Sequence, residues 1–392
     1  MLLLMTPPAK RGRKIKYITR LNQIPELSAD EVARLQPVID TFAFRVNDYY
    51  LSLIDWDDPA DPIRRLIIPS YGELDDQGAL DASDESAYTV CRGLEHKYDS
   101  TALLLVNQTC GGYCRFCFRK RLFMKENEEV SKDVKTALEY IRRHPEINNV
   151  LLTGGDPMAL ATSKLEPIVK QIREINHVQV IRIGTKMPAF NPYRIIDDPS
   201  LLEMIERYSI PEKKIYLVVH FNHPRELTEV AVQGLDLLQK AGAVVIHQTP
   251  LIKGVNDNPE VLCELFNRLS YVGVAPYYVF QCRPTRGNRI YSVPVEQAYE
   301  IFDRARMNGS GLAKRARFAM SHSTGKVEVV GLTGAHIFFR YHRAADNRNS
   351  GKFMIYKRNP EAYWFDDYLN APEAQVVEYP MPEPELDFWA ED

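Results

Sequence analysis

A chain of 392 residues with 45% hydrophobic content is long enough to bury a sizeable core, as one large or two ordinary domains. Its formal net charge of −3 gives no reason to expect nucleic acid or an anionic membrane as a partner. The apolar start over 1–5 is too short for a secretion signal or a membrane span. We therefore expect a globular, cytoplasmic protein.

The first hundred residues are predicted to be an extension of the main fold. Apolar residues over 29–53 recur at roughly helical spacing, which predicts one or two helices. The Asp- and Pro-rich segment 57–62 breaks the pattern, and 63–69 is expected to be an extended connector. Nothing in 1–100 indicates an independent fold.

From about residue 101 a repeated unit appears, in which an apolar run is followed by a polar turn and a helical pattern. Near-continuous apolar strands alternating with amphipathic helices are typical of a parallel sheet covered by helices. Six strands are too few for a closed eight-unit barrel, so we predict an α/β protein with an open six-unit (β/α) partial barrel. The predicted strands are 102–106, 150–152, 178–183, 215–219, 243–246 and 274–280, and the predicted helices are 134–143, 165–175, 201–208, 226–241, 259–269 and 295–307.

Smaller elements follow the six units. The run 327–330 is expected to pair with 337–341 as a ribbon at the open edge of the sheet. From residue 372 the chain has seven acidic residues, four prolines and no basic residue, which predicts an extended or disordered tail. We divide the chain into the barrel (101–310), a C-terminal ribbon segment (311–370) and the tail (371–392).

Every predicted strand is followed by residues able to do chemistry. Because active sites of (β/α) barrels form at the carboxyl ends of the strands, these residues should lie together. Ordinary turn formation would account for such residues after two or three strands, but it does not readily account for them after all six. The loops are 110–117, 153–156, 184–186, 220–223, 247–249 and 281–283.

The most informative loop holds three of the six cysteines within eight residues. Cys110, Cys114 and Cys117 follow a Cys-x-x-x-Cys-x-x-Cys pattern, with Phe116 directly before the third. Three thiolates so spaced can hold three irons of a 4Fe-4S cluster and leave the fourth iron open. The alternatives are a disulfide framework and a zinc site, but zinc needs a fourth ligand, and no second Cys/His pair at finger-like spacing is visible. The pattern resembles the signature of the radical S-adenosylmethionine (SAM) superfamily, in which SAM chelates the open iron.

Gly154, Gly155 and Asp156 follow the second predicted strand. On its own such a sequence is an ordinary turn, although backbone groups beside glycines can approach a small ligand closely. A similar segment binds the methionyl amine of SAM in radical SAM proteins. The resemblance therefore implies that these three residues contact SAM.

Further motifs are Gly-Leu-Glu-His-Lys-Tyr over 93–98, Arg-Ile-Gly over 182–184, His-Phe-Asn-His-Pro over 220–224, Gly-Val-Asn-Asp over 254–257, Pro-Tyr-Tyr over 276–278 and Gln-Cys over 281–282. Together they resemble the lysine 2,3-aminomutase family, over about two thirds of the chain. Members couple radical SAM chemistry to pyridoxal 5′-phosphate (PLP) and move an amino group from Cα to Cβ. The resemblance implies an isomerase with a 4Fe-4S cluster, SAM and PLP as cofactors, and an electron donor such as a flavodoxin or ferredoxin.

The resemblance also implies which residues hold PLP. PLP requires a lysine that can form an imine, and Lys326 follows a glycine turn where the family carries that lysine. Lys97 and Tyr98 match an Arg-Tyr pair that holds the cofactor phosphate in relatives. Thr101 stands where relatives have a second phosphate-binding arginine, so this anchor is expected to be built differently.

Substrate choice is expected to depend on two arginines. Arg119 matches the arginine that pairs with the α-carboxylate, a task suited to a guanidinium. Lysine enzymes hold the ε-ammonium with two aspartates, and this chain has Arg283 at one of those positions and the sequence Ala-Met-Ser-His over 319–322 around the other. Because a lysine side chain facing Arg283 would meet a like charge, we hypothesise that L-glutamate is converted to β-glutamate. Aspartate, a neutral amino acid, and an Arg283 that points away from the site remain alternatives.

Two further expectations concern metal and partners. Some relatives bind a structural zinc, but this chain has Asn258 at one ligand position and no cysteine beyond Cys282, so we expect no zinc. A homo-oligomer is compatible with the sequence. Alternative functions are lysine 2,3-aminomutase, a radical SAM enzyme acting on another amino acid or a peptide, and a binding protein stabilised by iron–sulfur or zinc.

Overall fold

The computed structural model describes residues 12–124, 127–130, 133–371 and 375–379. Within them, thirteen strands form one sheet and two form a separate ribbon. The strands are β1 (Tyr17–Ile18), β2 (Val46–Asn47), β3 (Thr89–Cys91), β4 (Leu94–Tyr98), β5 (Thr101–Asn107), β6 (Asn149–Gly154), β7 (Val180–Thr185), β8 (Ile215–His220), β9 (Val244–Pro250), β10 (Ala275–Phe280), β11 (Arg317–His322), β12 (Gly325–Leu332), β13 (His336–Ala344), β14 (Phe353–Lys357) and β15 (Gln375–Tyr379).

The helices cover the sheet and include all six that the repeated unit predicts. They are α1 (Ala29–Thr41), α2 (Asp48–Leu51), α3 (Pro62–Ile67), α4 (Lys135–Arg143), α5 (Thr162–Arg173), α6 (Met187–Phe190), α7 (Tyr193–Ile196), α8 (Pro199–Tyr208), α9 (Glu229–Lys240), α10 (Pro259–Tyr271), α11 (Val295–Asn308) and α12 (Asp366–Leu369). None of the described helices is both long and apolar enough to cross a membrane.

The strands from β5 to β11 are neighbours in chain order and run parallel. Antiparallel strands flank them, with β3 and β4 on one side and β12 to β15 on the other. The predicted open α/β partial barrel is confirmed, and so is the C-terminal ribbon, formed by β12 and β13. The parallel part contains one strand more than predicted, because α11 returns the chain so that β11 pairs with β10.

The sheet curves until its two sides meet. Hydroxyls of Ser83 and Tyr88, which precede β3, donate to the carbonyls of Ser321 (3.1 Å) and Ser323 (2.8 Å). Lys97 of β4 donates to the His322 carbonyl. In the sheet, β4 lies beside β5, the first parallel strand, and β11 is the last parallel strand. Contacts between β4 and the end of β11 therefore enclose an inner space.

The alternation of side chains separates the two faces of the sheet. In β6, β7 and β9, fully buried residues alternate with half-buried ones. The fully buried set packs against the helices in one large apolar core. The half-buried set therefore faces the inner space, since successive side chains of a strand point to opposite faces.

The N-terminal part corrects one expectation. Residues 63–69 were expected to be extended, but α3 spans Pro62–Ile67. Asp61 accepts a hydrogen bond from the Arg64 amide (2.7 Å), and Pro62 occupies the first helical position, where it costs no hydrogen bond. Both the capping aspartate and the proline are visible in the sequence. From the sequence, Pro62 is interpreted as part of the helix-breaking segment 57–62 and not as the first residue of a new helix.

The predicted acidic tail lies mostly outside the described residues. Residues 375–379 are described and form β15, which pairs antiparallel with β14. This part of the tail is therefore extended, as predicted, and it adds an edge strand to the sheet.

Candidate active site

The cysteine loop after β5 is held by the N-terminal part of the chain. Arg45 Nε donates to the Cys110 carbonyl at 3.0 Å, and the buried Asn47 amide donates to the Gly111 carbonyl at 3.2 Å. The Tyr113 N–H donates to the Arg45 carbonyl at 2.8 Å. The N-terminal extension thus fixes the backbone that carries the three cysteines.

Cys110, Cys114 and Cys117 are partly buried free thiols. Burial raises the pKa of Cys114 to about 12 and also raises the pKa of the other two. The charges of Cys114 and Cys117 both act on Cys110, so the three lie in one neighbourhood. No three His, Cys, Asp or Glu side chains of the described residues already stand in metal-ligating geometry. As a donor set the loop suits an iron–sulfur cluster, whose iron would displace the thiol protons.

The Gly154-Gly155-Asp156 segment packs directly on the residues leading into the cysteine loop. The Gly155 N–H donates to the Asn107 carbonyl (2.6 Å), and the Asp156 N–H donates to the Thr109 carbonyl (2.9 Å). Gly154 has a φ of 113°, and a Cβ on Gly155 would lie 2.6 Å from the Thr109 oxygen. Both positions therefore require glycine.

The Asp156 carboxylate points inward and is only 3% exposed. It accepts hydrogen bonds from the Lys186 N–H (2.7 Å), the Thr185 hydroxyl (3.0 Å) and the Met158 N–H (2.9 Å). Burial raises its pKa to about 6, against the lowering effect of these donors. The side chain thus ties the loops after β6 and β7 together.

A buried ion pair lies beside this loop and was not identified from the sequence. Lys186 Nζ donates to Glu226 (2.5 Å) and to the Asn222 side chain (2.6 Å), and Tyr50 donates to the same carboxylate at 2.6 Å. Lys186 also lowers the pKa of Cys114, whereas burial acts more strongly in the other direction. Glu226 raises the pKa of the same thiol, so the two members of the pair act on Cys114 in opposite directions.

Lys326 lies in a cationic part of the inner space. Its ammonium stands 4.0 Å from the centre of the Tyr278 ring. Burial, together with the positive charges of Arg182, Arg283, Arg343 and Lys97, lowers its pKa to about 7. A large fraction of Lys326 is therefore an unprotonated amine at neutral pH, the form that attacks a carbonyl.

Lys97 and Tyr98 lie at the end of β4, near the same lysine. Burial and the charge of Arg283 lower the pKa of Lys97 to about 8. Burial raises the pKa of Tyr98 to about 12, although Arg343, 4.5 Å from the ring centre, acts in the opposite direction. The structure therefore brings the three predicted PLP residues to one region.

Arg119 and Arg283, the two predicted substrate arginines, meet at a glutamate that sequence motifs did not indicate. Glu85 accepts from Arg119 Nε at 3.0 Å and from Arg119 Nη2 at 2.7 Å. Arg283 Nη1 lies 3.6 Å from the same carboxylate, and its guanidinium stands 3.6 Å from the centre of the Phe118 ring. Arg119 also contacts Glu95 at 3.5 Å. Arg283 and Arg119 therefore lie beside each other on one carboxylate.

Comparisons with known proteins identify the family of the chain. The sequence profile of the Radical SAM superfamily matches residues 104–266. A protein of Aquifex aeolicus (strain VF5), provisionally named L-lysine 2,3-aminomutase, is 59% identical over 94% of this chain and 98% of its own length. The chain belongs to the lysine 2,3-aminomutase family.

Two other members of the lysine 2,3-aminomutase family differ in the substrate that their names state. The L-lysine 2,3-aminomutase of Acetoanaerobium sticklandii is 36% identical over 76% of this chain and 71% of its own length. The glutamate 2,3-aminomutase of Clostridioides difficile (strain 630) is 33% identical over 77% of this chain and 71% of its own length. The predicted family, the isomerase class and the radical SAM amino acid 2,3-aminomutase reaction are confirmed. The family implies SAM, a 4Fe-4S cluster and PLP.

Proposed function

We propose that this aminomutase acts on L-glutamate and forms β-glutamate. The observation that supports the proposal is the charge around Lys326, where the four charged groups that act most strongly on its pKa are all cations. Arg283 is one of them, and it shares Glu85 with Arg119. An acidic side chain entering beside Arg283 gains a partner, whereas an ammonium adds another cation.

The size of this effect is large enough to determine specificity. Two unit charges about 4 Å apart interact by roughly 4 kcal/mol at the effective dielectric of a partly buried site. Selectivity of about 100-fold requires only about 2.7 kcal/mol. A like-charge contact with Arg283 alone therefore suffices to exclude lysine, provided that no nearby carboxylate is free.

The nearby carboxylates support the same conclusion. Glu85 is paired with Arg119 and Arg121, and Glu95 lies 3.5 Å from Arg119. Both are buried, so pairing a substrate ammonium with either would break an existing contact. Asp84 is exposed and raises the pKa of Lys97. It is the carboxylate that a lysine substrate would need to recruit.

The alternative substrate is L-lysine, which the names of the Aquifex and Acetoanaerobium relatives favour. Under this alternative Glu85 would neutralise Arg283, and Asp84 would hold the ε-ammonium. The two proposals thus differ in whether Arg283 faces the substrate as a free charge.

The residues that would hold the cofactors follow from the site. Cys110, Cys114 and Cys117 would bind the cluster, Gly154, Gly155 and Asp156 would contact SAM, and Lys97, Tyr98 and Lys326 would hold PLP. When bound, these groups supply a substrate radical and a π-system through which nitrogen migrates from Cα to Cβ. Reduction of the cluster would require a donor such as a flavodoxin or ferredoxin.

The protein's own residues contribute binding, orientation and proton control. Arg119 would hold the α-carboxylate with a guanidinium that Glu85 and the Thr153 hydroxyl (3.1 Å) already orient. A large fraction of Lys326 is an unprotonated, reactive amine at neutral pH because its pKa is depressed to about 7.

The test is an anaerobic assay of protein reconstituted with iron, sulfide, SAM and PLP. Glutamate, lysine, aspartate and alanine are supplied separately, and β-amino acids are measured by chromatography. We expect kcat/KM for glutamate to exceed that for lysine by at least about 100-fold. Turnover of lysine without turnover of glutamate contradicts the proposal.

A pair of variants assigns the selectivity to Arg283. Arg283→Gln is expected to lower kcat/KM for glutamate by about 100-fold and to lower it less for aspartate or alanine. Arg286→Gln is the matched control, because Arg286 is exposed and three residues away. Equal decreases in kcat/KM for glutamate and alanine in Arg283→Gln would show that Arg283 does not recognise the substrate side chain.

A further inference from the structure

Arg343 lies where two sides of the barrel meet. It is on β13 and pairs directly with Lys326 of β12 in the antiparallel register. Side chains of directly paired residues lie on the same face of a sheet. Arg343 therefore points into the inner space that contains Lys326.

The guanidinium of Arg343 reaches the turn that follows Lys97 and Tyr98. Nη1 donates to the Thr101 hydroxyl at 2.9 Å and Nη2 donates to the Ser100 hydroxyl at 2.8 Å. The guanidinium carbon stands 4.5 Å from the centre of the Tyr98 ring. A side chain from residue 343 thus occupies the same place as the residues proposed to hold the PLP phosphate.

The charge of Arg343 has no acidic partner among the described residues, and its side chain donates hydrogen bonds there only to hydroxyl oxygens. It also adds to the cations around it, since it lowers the pKa of Lys326 and of Arg182. Like charges directly opposite each other in a sheet are destabilising. A group of cations held close together despite this repulsion is suited to bind a multiply charged anion.

We propose that Arg343 binds the phosphate of PLP and supplies, from β13, the guanidinium that the start of β5 lacks at Thr101. The two hydroxyls of Ser100 and Thr101 orient its fork, and the Tyr98 ring supports its plane. This inference rests on the proposed function, which places PLP on Lys326. It adds a residue that is distant in sequence from the other proposed phosphate ligands.

The proposal makes a prediction that depends on the phosphate group alone. Pyridoxal has the aldehyde of PLP and lacks its phosphate, so both can react with Lys326 and only PLP can use Arg343. Arg343→Gln is expected to weaken PLP binding by about 10- to 100-fold, as for the loss of a charge-assisted contact. Pyridoxal binding is expected to change by less than about threefold.

The measurement is the dissociation constant of PLP and of pyridoxal, from absorbance titration of cluster-reconstituted protein without substrate. Arg340→Gln is the matched control, because Arg340 is exposed on the same strand. Equal weakening of PLP and pyridoxal in Arg343→Gln, or no weakening of either, overturns the proposal, since a purely structural clamp would affect both ligands alike.

A second variant pair covers the case in which Arg343→Gln is unstable. Arg343→Lys keeps the charge but loses the fork, and we expect PLP to bind about 10-fold more weakly while pyridoxal is unaffected. In the double variant Thr101→Arg/Arg343→Gln, an arginine returns to the same place from β5, and PLP affinity should recover. Failure to recover in a folded double variant counts against the proposal.

The same titration separates this inference from the proposed function. Lys326→Ala should weaken both PLP and pyridoxal, since both react with the amine. If Lys326→Ala binds both ligands normally, the PLP site itself is wrong. If Lys326→Ala behaves as expected and Arg343→Gln shows no preference for the phosphate, the PLP site stands and only the role of Arg343 fails.

Discussion

Glu85 is the residue whose replacement should disturb the site most. It is 8% exposed, and its carboxylate accepts from Arg119 at 3.0 and 2.7 Å and from Arg121 at 2.7 Å, with Arg283 at 3.6 Å. In Glu85→Gln these guanidiniums lose their shared charge. Removing one partner of a buried ion pair costs about 3 to 5 kcal/mol in the free energy of unfolding. For a chain of this size we expect Tm to fall by about 4 to 6 °C.

The assay is thermal unfolding followed by circular dichroism, with Glu139→Gln as the control. Glu139 also pairs with an arginine, at 2.9 Å, but its side chain is 51% exposed. Such surface pairs contribute about 0.5 kcal/mol or less, so its Tm should change by less than about 1 °C. Equal Tm changes in the two variants would refute the reasoning that Glu85 is the shared counter-ion of the site.

The pH dependence of this difference has a defined sign. The arginines around Glu85 hold the pKa of its carboxyl well below the ordinary value, against the raising effect of burial. A depressed carboxyl pKa stabilises the folded state above the pKa of the unfolded state, and the stabilisation is lost as the pH falls through the folded pKa. The Tm difference between wild type and Glu85→Gln should therefore be similar at about pH 6 and pH 8 and shrink in acid.

Three further predictions concern other parts of the site. The first is that covalent labelling of Lys326 by PLP rises with pH through about 7 and then levels off, because only the unprotonated amine reacts. The adduct is trapped with borohydride and measured by mass spectrometry. A rise that continues to about pH 10 would contradict the depressed pKa. The second is that Lys186→Met lowers the free energy of unfolding by about 3 to 5 kcal/mol, measured by denaturant titration, because it leaves the buried Glu226 unpaired. The double variant Lys186→Met/Glu226→Gln should recover much of this loss. A double variant no more stable than the single one would show that the two residues act independently. Gly155→Ala should lower the iron bound on reconstitution, since its Cβ would lie 2.6 Å from the Thr109 oxygen, whereas Gly334→Ala, with no atom within 4 Å, should bind iron normally.

The repeated units could be predicted from the sequence because each is a local pattern. The apolar run of β8 and the helical spacing of α10 are visible in fewer than about twenty residues, so strand and helix order follow directly. The seventh parallel strand, β11, was missed as a strand. Its sequence Arg-Phe-Ala-Met-Ser-His lacks the β-branched run of the others, and its pairing with β10 depends on where α11 returns the chain.

Residues of the site could be predicted only where they belong to a recognisable sequence motif. The cysteines and Gly154 to Asp156 lie in short patterns tied to known chemistry. Glu85 and Arg343 do not, since Glu85 meets Arg119 across 34 residues and Arg343 meets Thr101 across 242. Only the curved sheet brings these side chains together, and a charge in isolation gives no sign of the partner that it will meet.

The most direct test of the proposed function follows the nitrogen itself. Glutamate labelled with carbon-13 at C2 and with nitrogen-15 is incubated anaerobically with the reconstituted protein and examined by nuclear magnetic resonance. A 2,3-aminomutase acting on glutamate removes nitrogen-15 from C2 and transfers it to C3, so the one-bond coupling to labelled C2 disappears while nitrogen-15 remains in the product. Glutamate recovered with that coupling intact, while labelled lysine is converted under the same conditions, would contradict the account.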